Sequence, residues 1–309
     1  MKLMVSGIGG VGGYISAVLC AHYPEVTLIA RKKRKDALQQ KGLVIHSQCM
    51  GERVFHPIVT DAPSEAGIQD IIFICTKTFS LPDAIQALLP CIDAHTIVVP
   101  IMNGIDHANI TRKLLPAGHV VDSLIYITSS YAEDYSIVHP VSYARIFISS
   151  PTAGIAEKVQ SVLQHDGELD CQIPADMDAE LWKKYITNCA YNTMTAYYVC
   201  TTRKIMESAQ RIAEFHALLN ESYQVGCAAG VHLPATLPDD IFNRLTHHRN
   251  LDMTSSMERD AAAHKHTELE TFSGHLVRLA RSLRVPVPVT QKFYIALKAR
   301  ESASSNNAR

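Results

Sequence analysis

The chain has no apolar run approaching about 18 residues, so no helical membrane span is expected. It has no excess of either charge: 29 lysines and arginines stand against 30 aspartates and glutamates, which leaves no broad basic surface for nucleic acid. It has no Cys-x-x-Cys pair. The eight cysteines (20, 49, 75, 91, 171, 189, 200 and 227) are scattered, which argues against a zinc site or a disulfide framework and for reduced thiols in a cytoplasmic protein. A strand-like run begins at Lys2, which leaves no room for a signal peptide. No internal repeat is visible, and only residues 302–309 read as a frayed tail. What is present is an ordinary globular composition in 309 residues, enough for two domains and a sizeable core.

The most informative stretch is Gly7-Ile8-Gly9-Gly10-Val11-Gly12, directly after the apolar run Lys2-Leu3-Met4-Val5. A Gly-x-Gly-x-x-Gly turn between a strand and a helix is the dinucleotide fingerprint. Gly7 makes the tight turn, Gly9 lets a pyrophosphate approach the backbone, and Gly12 lets the helix pack on the strand. The N–H groups opening the helix, from Val11 onward, face the phosphates. An NAD site usually carries Asp or Glu at the end of the second strand, to hold the ribose 2′-hydroxyl. Here the strand Val26–Ala30 is followed by Arg31-Lys32-Lys33-Arg34-Lys35, with Glu25 before it and Asp36 a helical turn later. Arg31 is therefore expected to pair with a 2′-phosphate, which predicts NADP(H). Lys33, Arg34 and Lys35 read as a solvated basic face.

The first half alternates strands and helices. Strands are expected at 71–75, 96–100, 120–127, 143–148 and 170–173, and helices at 83–89 and 153–164: an α/β, doubly wound parallel sheet with extra strands. Past Pro174 the pattern becomes helical, at 178–198, 207–229, 238–247, 256–283 and 289–300. The expected division is 1–174, a Rossmann-type NADP-binding domain, and 175–309, an all-helical substrate and catalytic domain, with substrate in the cleft between them.

Four constellations carry chemistry. Lys184, Asn188 and Asn192 recur every four residues and share one helix face: an ammonium acid flanked by two carboxamides that bind oxygens. They also read as a polar outer face. Leu181, Tyr185, Cys189 and Thr193 form an adjacent stripe that packs. Ser255 and Glu258 have capping-box spacing, so a helix starts there, and Ser256 among free N–H groups is a carboxylate receptor. Farther along that helix His264 and Glu268 are four apart. No third metal ligand is suggested, so no metal is expected and Glu268 reads as a partner for substrate hydroxyls. Lys77 and Asn103-Gly104 follow strands at their carboxyl ends, where ligands bind in open α/β sheets. His107, His247 and His248 have no placement argument.

Together these residues resemble the ketopantoate reductase (2-dehydropantoate 2-reductase) family. The matching pieces are the glycine turn, Arg31, Cys75-Thr76-Lys77, Asn103-Gly104, Leu181-Trp182-Lys183-Lys184 with Asn188 and Asn192, and Ser255-Ser256-Met257 followed by His266-Thr267-Glu268. The resemblance implies a Rossmann domain followed by a helical domain of the 6-phosphogluconate-dehydrogenase type. It implies NADPH-dependent reduction of 2-dehydropantoate to pantoate, on the route to pantothenate and coenzyme A. Lys184 would then be the general acid and Glu268 would orient the substrate hydroxyl and the lysine. Asn188 and Asn192 would hold substrate oxygens, Ser256 the carboxylate, and Lys77 and Asn103 the nicotinamide side. The implied partner is a small 2-oxo acid, and helical second domains of this kind often pair as homodimers. The resemblance departs at Gly13 and over residues 243–254, which match no pattern. The rival readings are a reductase of the same architecture acting on another 2-oxo or 3-hydroxy acid, and a non-catalytic NADPH sensor.

Overall fold

The computed structural model describes residues 1–247 and 250–307, with side chains as far as Ala303. His248 therefore lies outside the described residues. The chain divides into two compact units, Met1–Met177 and Asp178–Arg309.

In the first unit the elements run β1 (Leu3–Ser6), α1 (Gly10–His22), β2 (Val26–Ile29), α2 (Lys32–Lys41), β3 (Leu43–Ser47), β4 (Gly51–Phe55), β5 (Ile58–Thr60), β6 (Ile71–Ile74), α3 (Leu81–Leu88), β7 (Ile97–Pro100), α4 (His107–Leu114), β8 (His119–Val120), β9 (Asp122–Tyr126), β10 (Ser130–Tyr131), β11 (Ile137–His139), β12 (Arg145–Ser149), α5 (Ile155–Leu163) and β13 (Asp170–Gln172). Six parallel strands make the main sheet, in the order β5-β2-β1-β6-β7-β8. Counted along the sheet's own strands this is 3-2-1-4-5-6, the dinucleotide-binding order. The fold is thus α/β with a Rossmann-type sheet, followed by a helical unit.

The strands of this sheet are apolar on both faces because both faces are covered. Leu3, Val5, Leu28, Phe73 and Val99 pack with Tyr14, Ile15 and Val18 of α1. The alternate residues Met4, Ile72, Ile74 and Val98 pack with Leu81, Ile85 and Leu88 of α3. Each fully buried side chain of this size contributes roughly 1.5–3 kcal/mol. The side-chain period of two along each strand therefore builds two cores from one sheet.

The expected strand 120–127 is in fact two. β8 pairs with β7, while β9 leaves for a separate three-stranded sheet, ordered β13-β12-β9. The hop occurs at Val121, whose N–H donates to the Val98 carbonyl 3.0 Å away. A four-stranded sheet, β10-β11-β3-β4, was not visible in the sequence pattern.

The second unit holds α6 (Met177–Tyr198), α7 (Thr202–Met206), α8 (Ala209–Ala228), α9 (Leu237–Thr246), α10 (Ser256–Ala262), α11 (His275–Leu283) and α12 (Pro288–Asn307). The expected helix over 256–283 is broken. His264 takes φ +52 and closes α10 in a left-handed cap, with Lys265 N–H donating to the Asp260 carbonyl at 2.8 Å and His264 N–H to that of Ala261 at 3.0 Å. That bonding pattern usually calls for glycine, and no glycine or proline announces it here. The chain re-enters helix through a π turn, Glu270–Gly274, in which Gly274 N–H reaches the Leu269 carbonyl. The expected fray is also corrected over 302–307, because α12 continues to Asn307; residues 308 and 309 lie outside the described residues. Its start is fastened by Glu221, a buried carboxylate that accepts from Val289 N–H, Thr290 N–H and the Thr290 hydroxyl at 2.7–2.9 Å.

Candidate functional site

In the first unit the singled-out residues gather at the carboxyl ends of parallel strands. The glycine turn follows β1, Arg31 follows β2, Thr76-Lys77 follows β6 and Asn103-Gly104 follows β7. The Thr78 hydroxyl donates to the Asn103 carbonyl at 3.1 Å, which ties the last two loops together. Gly104 has φ +103, a conformation that side chains resist. Lys77 and Asn103 are half-buried and Arg31 is exposed at the start of α2.

The glycines differ in what holds them. Gly7 has φ +94, and a Cβ there would lie 2.8 Å from the backbone of Cys75 and Thr76. A Cβ at Gly12 would collide with the Gly7 carbonyl, and one at Gly13 with the Ile137 side chain. Gly13, a departure in the sequence, is thus the seat of β11 on α1. Gly9 has nothing within 4 Å of the Cβ position. Packing therefore does not require glycine at residue 9, and the space beside its backbone suits an approaching ligand. Two buried polar atoms near this turn, Thr76 Oγ1 and Arg34 Nη2, have no partner among the described residues. A bare glycine cradle with orphaned polar atoms beside it fits the diphosphate of a nicotinamide dinucleotide.

Two readings of the basic run change. Arg34 is half-buried, not part of a solvated face: its Nε donates to the Ile8 carbonyl at 3.1 Å and its Nη1 to the Tyr135 carbonyl. Lys35 pairs with Asp61 at 2.7 Å. Asp61 follows β5, next to β2 in the sheet, so a carboxylate does stand in the neighbourhood of Arg31. The Lys35 hydrogen bond, aided by the Arg31 charge, holds Asp61 below the usual carboxylate range. No spacing rule would have found it, because sheet adjacency, not sequence, brings it there.

In the second unit α6 carries the polar row. Leu181, Tyr185, Cys189 and Thr193 are buried, and so are Trp182, Ile186, Ala190 and Met194, so two adjacent stripes pack and Lys184, Asn188 and Asn192 flank them. The π turn hangs on the first stripe. The Tyr185 hydroxyl donates toward the carbonyls of Phe272 (2.9 Å) and Thr271 (3.1 Å), and Thr193 and Ser273 share a 2.7 Å hydrogen bond. This suspends Glu268, 3% exposed, close enough for its charge to act on Lys184. Burial pushes the Lys184 ammonium down to about 8, and the Glu268 carboxylate opposes that shift. His264 and Glu268 do not share a helix, which removes the spacing argument for a joint metal site.

Asn192 is 4% exposed and well occupied. Its Nδ2 donates to the Asn188 carbonyl at 3.0 Å, while its Oδ1 accepts from Met257 N–H (3.2 Å) and the Ser256 hydroxyl (3.4 Å). The Ser255 hydroxyl caps α10 by accepting from Glu258 N–H at 3.1 Å, and itself accepts from Thr195. Two N–H groups at the start of α10 are therefore already satisfied, where free ones were expected around Ser256. Residues 251–254 gain a role here: the Leu251 and Met253 carbonyls accept from Arg203 and Thr202 N–H, and Asp252 pairs with Arg203 at 2.7 Å. His107 is a core residue, its Nε2 2.9 Å from the Ser123 carbonyl, and His247 is exposed.

Residues 3–152 match the family described as Ketopantoate reductase PanE/ApbA, and residues 176–301 match its C-terminal counterpart. The chain is 27% identical over 304 residues to the Bacillus subtilis protein named Uncharacterized oxidoreductase YkpB, covering 98% of this chain and 99% of that one. A crystal structure of a PanE/ApbA family ketopantoate reductase from Ralstonia eutropha JMP134 superposes with TM-score 0.88 at 24% identity, covering 99% and 100% of the two chains. The ternary structure of D-mandelate dehydrogenase with NADH and anilino(oxo)acetate also gives 0.88, at 18% identity, covering 99% and 100%. With both halves matched in order, and with the sheet and helical unit those halves require, the chain belongs to the ketopantoate reductase PanE/ApbA family of oxidoreductases.

Proposed function

We propose that this protein reduces 2-dehydropantoate to pantoate with NADPH, as a cytoplasmic step toward pantothenate and coenzyme A. The observation that carries the reading is the lysine–glutamate pair: an ammonium lowered to about 8 beside a buried carboxylate, on a helix whose neighbouring turns offer carboxamides. Bound NADPH would supply a hydride to the carbonyl carbon of a 2-oxo acid. Lys184 Nζ stabilises the negative charge that develops on the carbonyl oxygen and gives it a proton. A lysine near its working pH is a better acid than one at its ordinary value, because it is both charged and ready to release. Glu268 keeps Lys184 protonated and accepts a substrate hydroxyl. Asn188 holds a substrate oxygen, Ser256 binds the carboxylate, and Asn192, with one amide hydrogen to spare, both sets Ser256 and reaches substrate.

Residues 1–174 bind the cofactor and residues 175–309 bind substrate and supply the acid. In the first part, Gly7 to Gly12 receive the diphosphate, Arg31 the 2′-phosphate, and Lys77 and Asn103 the nicotinamide side. The active species is a homodimer. A second reading is supported by one comparison: a dehydrogenase of the same fold was solved with NADH and a different oxo acid, so another 2-oxo acid is the competing substrate. Purified protein, assayed by NADPH absorbance against 2-dehydropantoate and a panel of 2-oxo acids, decides between them. The highest kcat/KM is expected for 2-dehydropantoate. A clear preference for another oxo acid selects the second reading, and cofactor binding without turnover on any would leave a sensor.

A further inference from the structure

Arg34 turns back onto the glycine turn. Its Nε donates to the Ile8 carbonyl at 3.1 Å and its Nη1 to the Tyr135 carbonyl. Its guanidinium carbon lies 5.8 and 5.3 Å from the ring centroids of Tyr131 and Tyr135. A second carbonyl of the turn, that of Gly10, accepts from the Ser129 hydroxyl at 2.9 Å. The turn has almost no side chains with which to fix its own shape. Its peptide planes are instead held from the segment 129–135, once directly by Ser129 and once through Arg34.

Peptide planarity makes the consequence specific. In a trans peptide the N–H points opposite to the C=O of the same unit. Pulling the Ile8 carbonyl toward Arg34 therefore aims the Gly9 N–H away from it, and Ser129 does the same for the Val11 N–H through the Gly10 carbonyl. These are N–H groups of the turn that approaches a diphosphate.

We propose that Arg34 is a positioning residue for the dinucleotide diphosphate, acting on NADPH and NADH alike, whereas Arg31 distinguishes between them. This rests on the dinucleotide reading of the turn. Calorimetric titrations of the purified chain with NADPH, NADH and ADP-ribose test it. Arg34→Ala is expected to weaken all three by a similar factor, about tenfold or more, leaving the NADPH-to-NADH ratio unchanged. Arg34→Lys keeps the charge but cannot bridge two carbonyls with a rigid fork, so an intermediate loss is expected. Ser129→Ala should weaken all three a few-fold, and Arg34→Lys decides the matter if Arg34→Ala does not fold. Folded Arg34 variants with undiminished affinities, or a loss confined to NADPH, overturn the assignment of Arg34 alone. An unsubstituted chain that binds none of the three overturns the dinucleotide reading and this inference with it.

Discussion

The glycine turn and the polar row of α6 reach their geometry by opposite means. The turn is defined by absent side chains: Gly7 and Gly12 are required because a Cβ would meet backbone. The row lies on one helix, but its buried neighbour Glu268 is brought to it by the rest of the unit, through Tyr185, Thr193 and the π turn. A site of the first kind is local and fails through steric collision. A site of the second kind is assembled and fails when a distant support is lost.

Breaking the assembled site gives the largest effect. Lys184→Ala should lower kcat by about 10²–10⁴ while leaving NADPH affinity nearly intact, as read by steady-state kinetics and titration. Wild-type turnover would remove Lys184 from its role. In the turn, Gly12→Ala forces a Cβ onto the Gly7 carbonyl and should cost about 1–3 kcal/mol in a denaturant melt. Gly9→Ala sharpens the contrast: with open space at its Cβ, it should melt like the parent yet bind NADPH about tenfold or more weakly, since the added methyl occupies the ligand's approach. Arg31→Ala should cost NADPH about tenfold in affinity and leave NADH unchanged.

Two pH effects are smaller. If protonated Lys184 is the acid, kcat/KM should fall as pH rises through about 8, because the proton it donates is then lost. In the first unit, burial and the stacked His22 ring, with centroids 3.5 Å apart, hold the His165 imidazole below its ordinary value. The unfolded chain then takes up that proton first. This contribution to stability is complete above the ordinary imidazole value and declines as pH falls toward the lowered one. Thermal midpoints at about pH 7 and pH 5.5 should show the decline, and His165→Gln should flatten it.

The same contrast explains what was legible. The glycine turn and the main-sheet strands β1, β2, β6 and β7 are written in runs of a few residues. The lysine row was legible as a spacing, and the Ser255 cap as a capping box. Arg34 was misread because its partner Tyr135 lies 101 residues away and nothing near Arg34 announces it. The end of α10 was hidden because Ala261, Ala262 and Ala263 favour helix and a histidine takes the place of the usual glycine. The occupation of the Asn192 acceptor oxygen was hidden too, since its donors lie 64 and 65 residues downstream.

The π turn has one further consequence. A π turn accommodates one residue more than an α-helix would in the same rise. Deleting a single residue between Glu270 and Gly274 would let that stretch wind as ordinary α-helix with its flanks in nearly the same phase, because the π turn already absorbs the surplus residue. What would change is the bulge that presents the Thr271 and Phe272 carbonyls to the Tyr185 hydroxyl. The surplus residue thus serves the anchoring of this turn on α6, and shortening the chain there would loosen the hold of Tyr185 without altering Tyr185 itself.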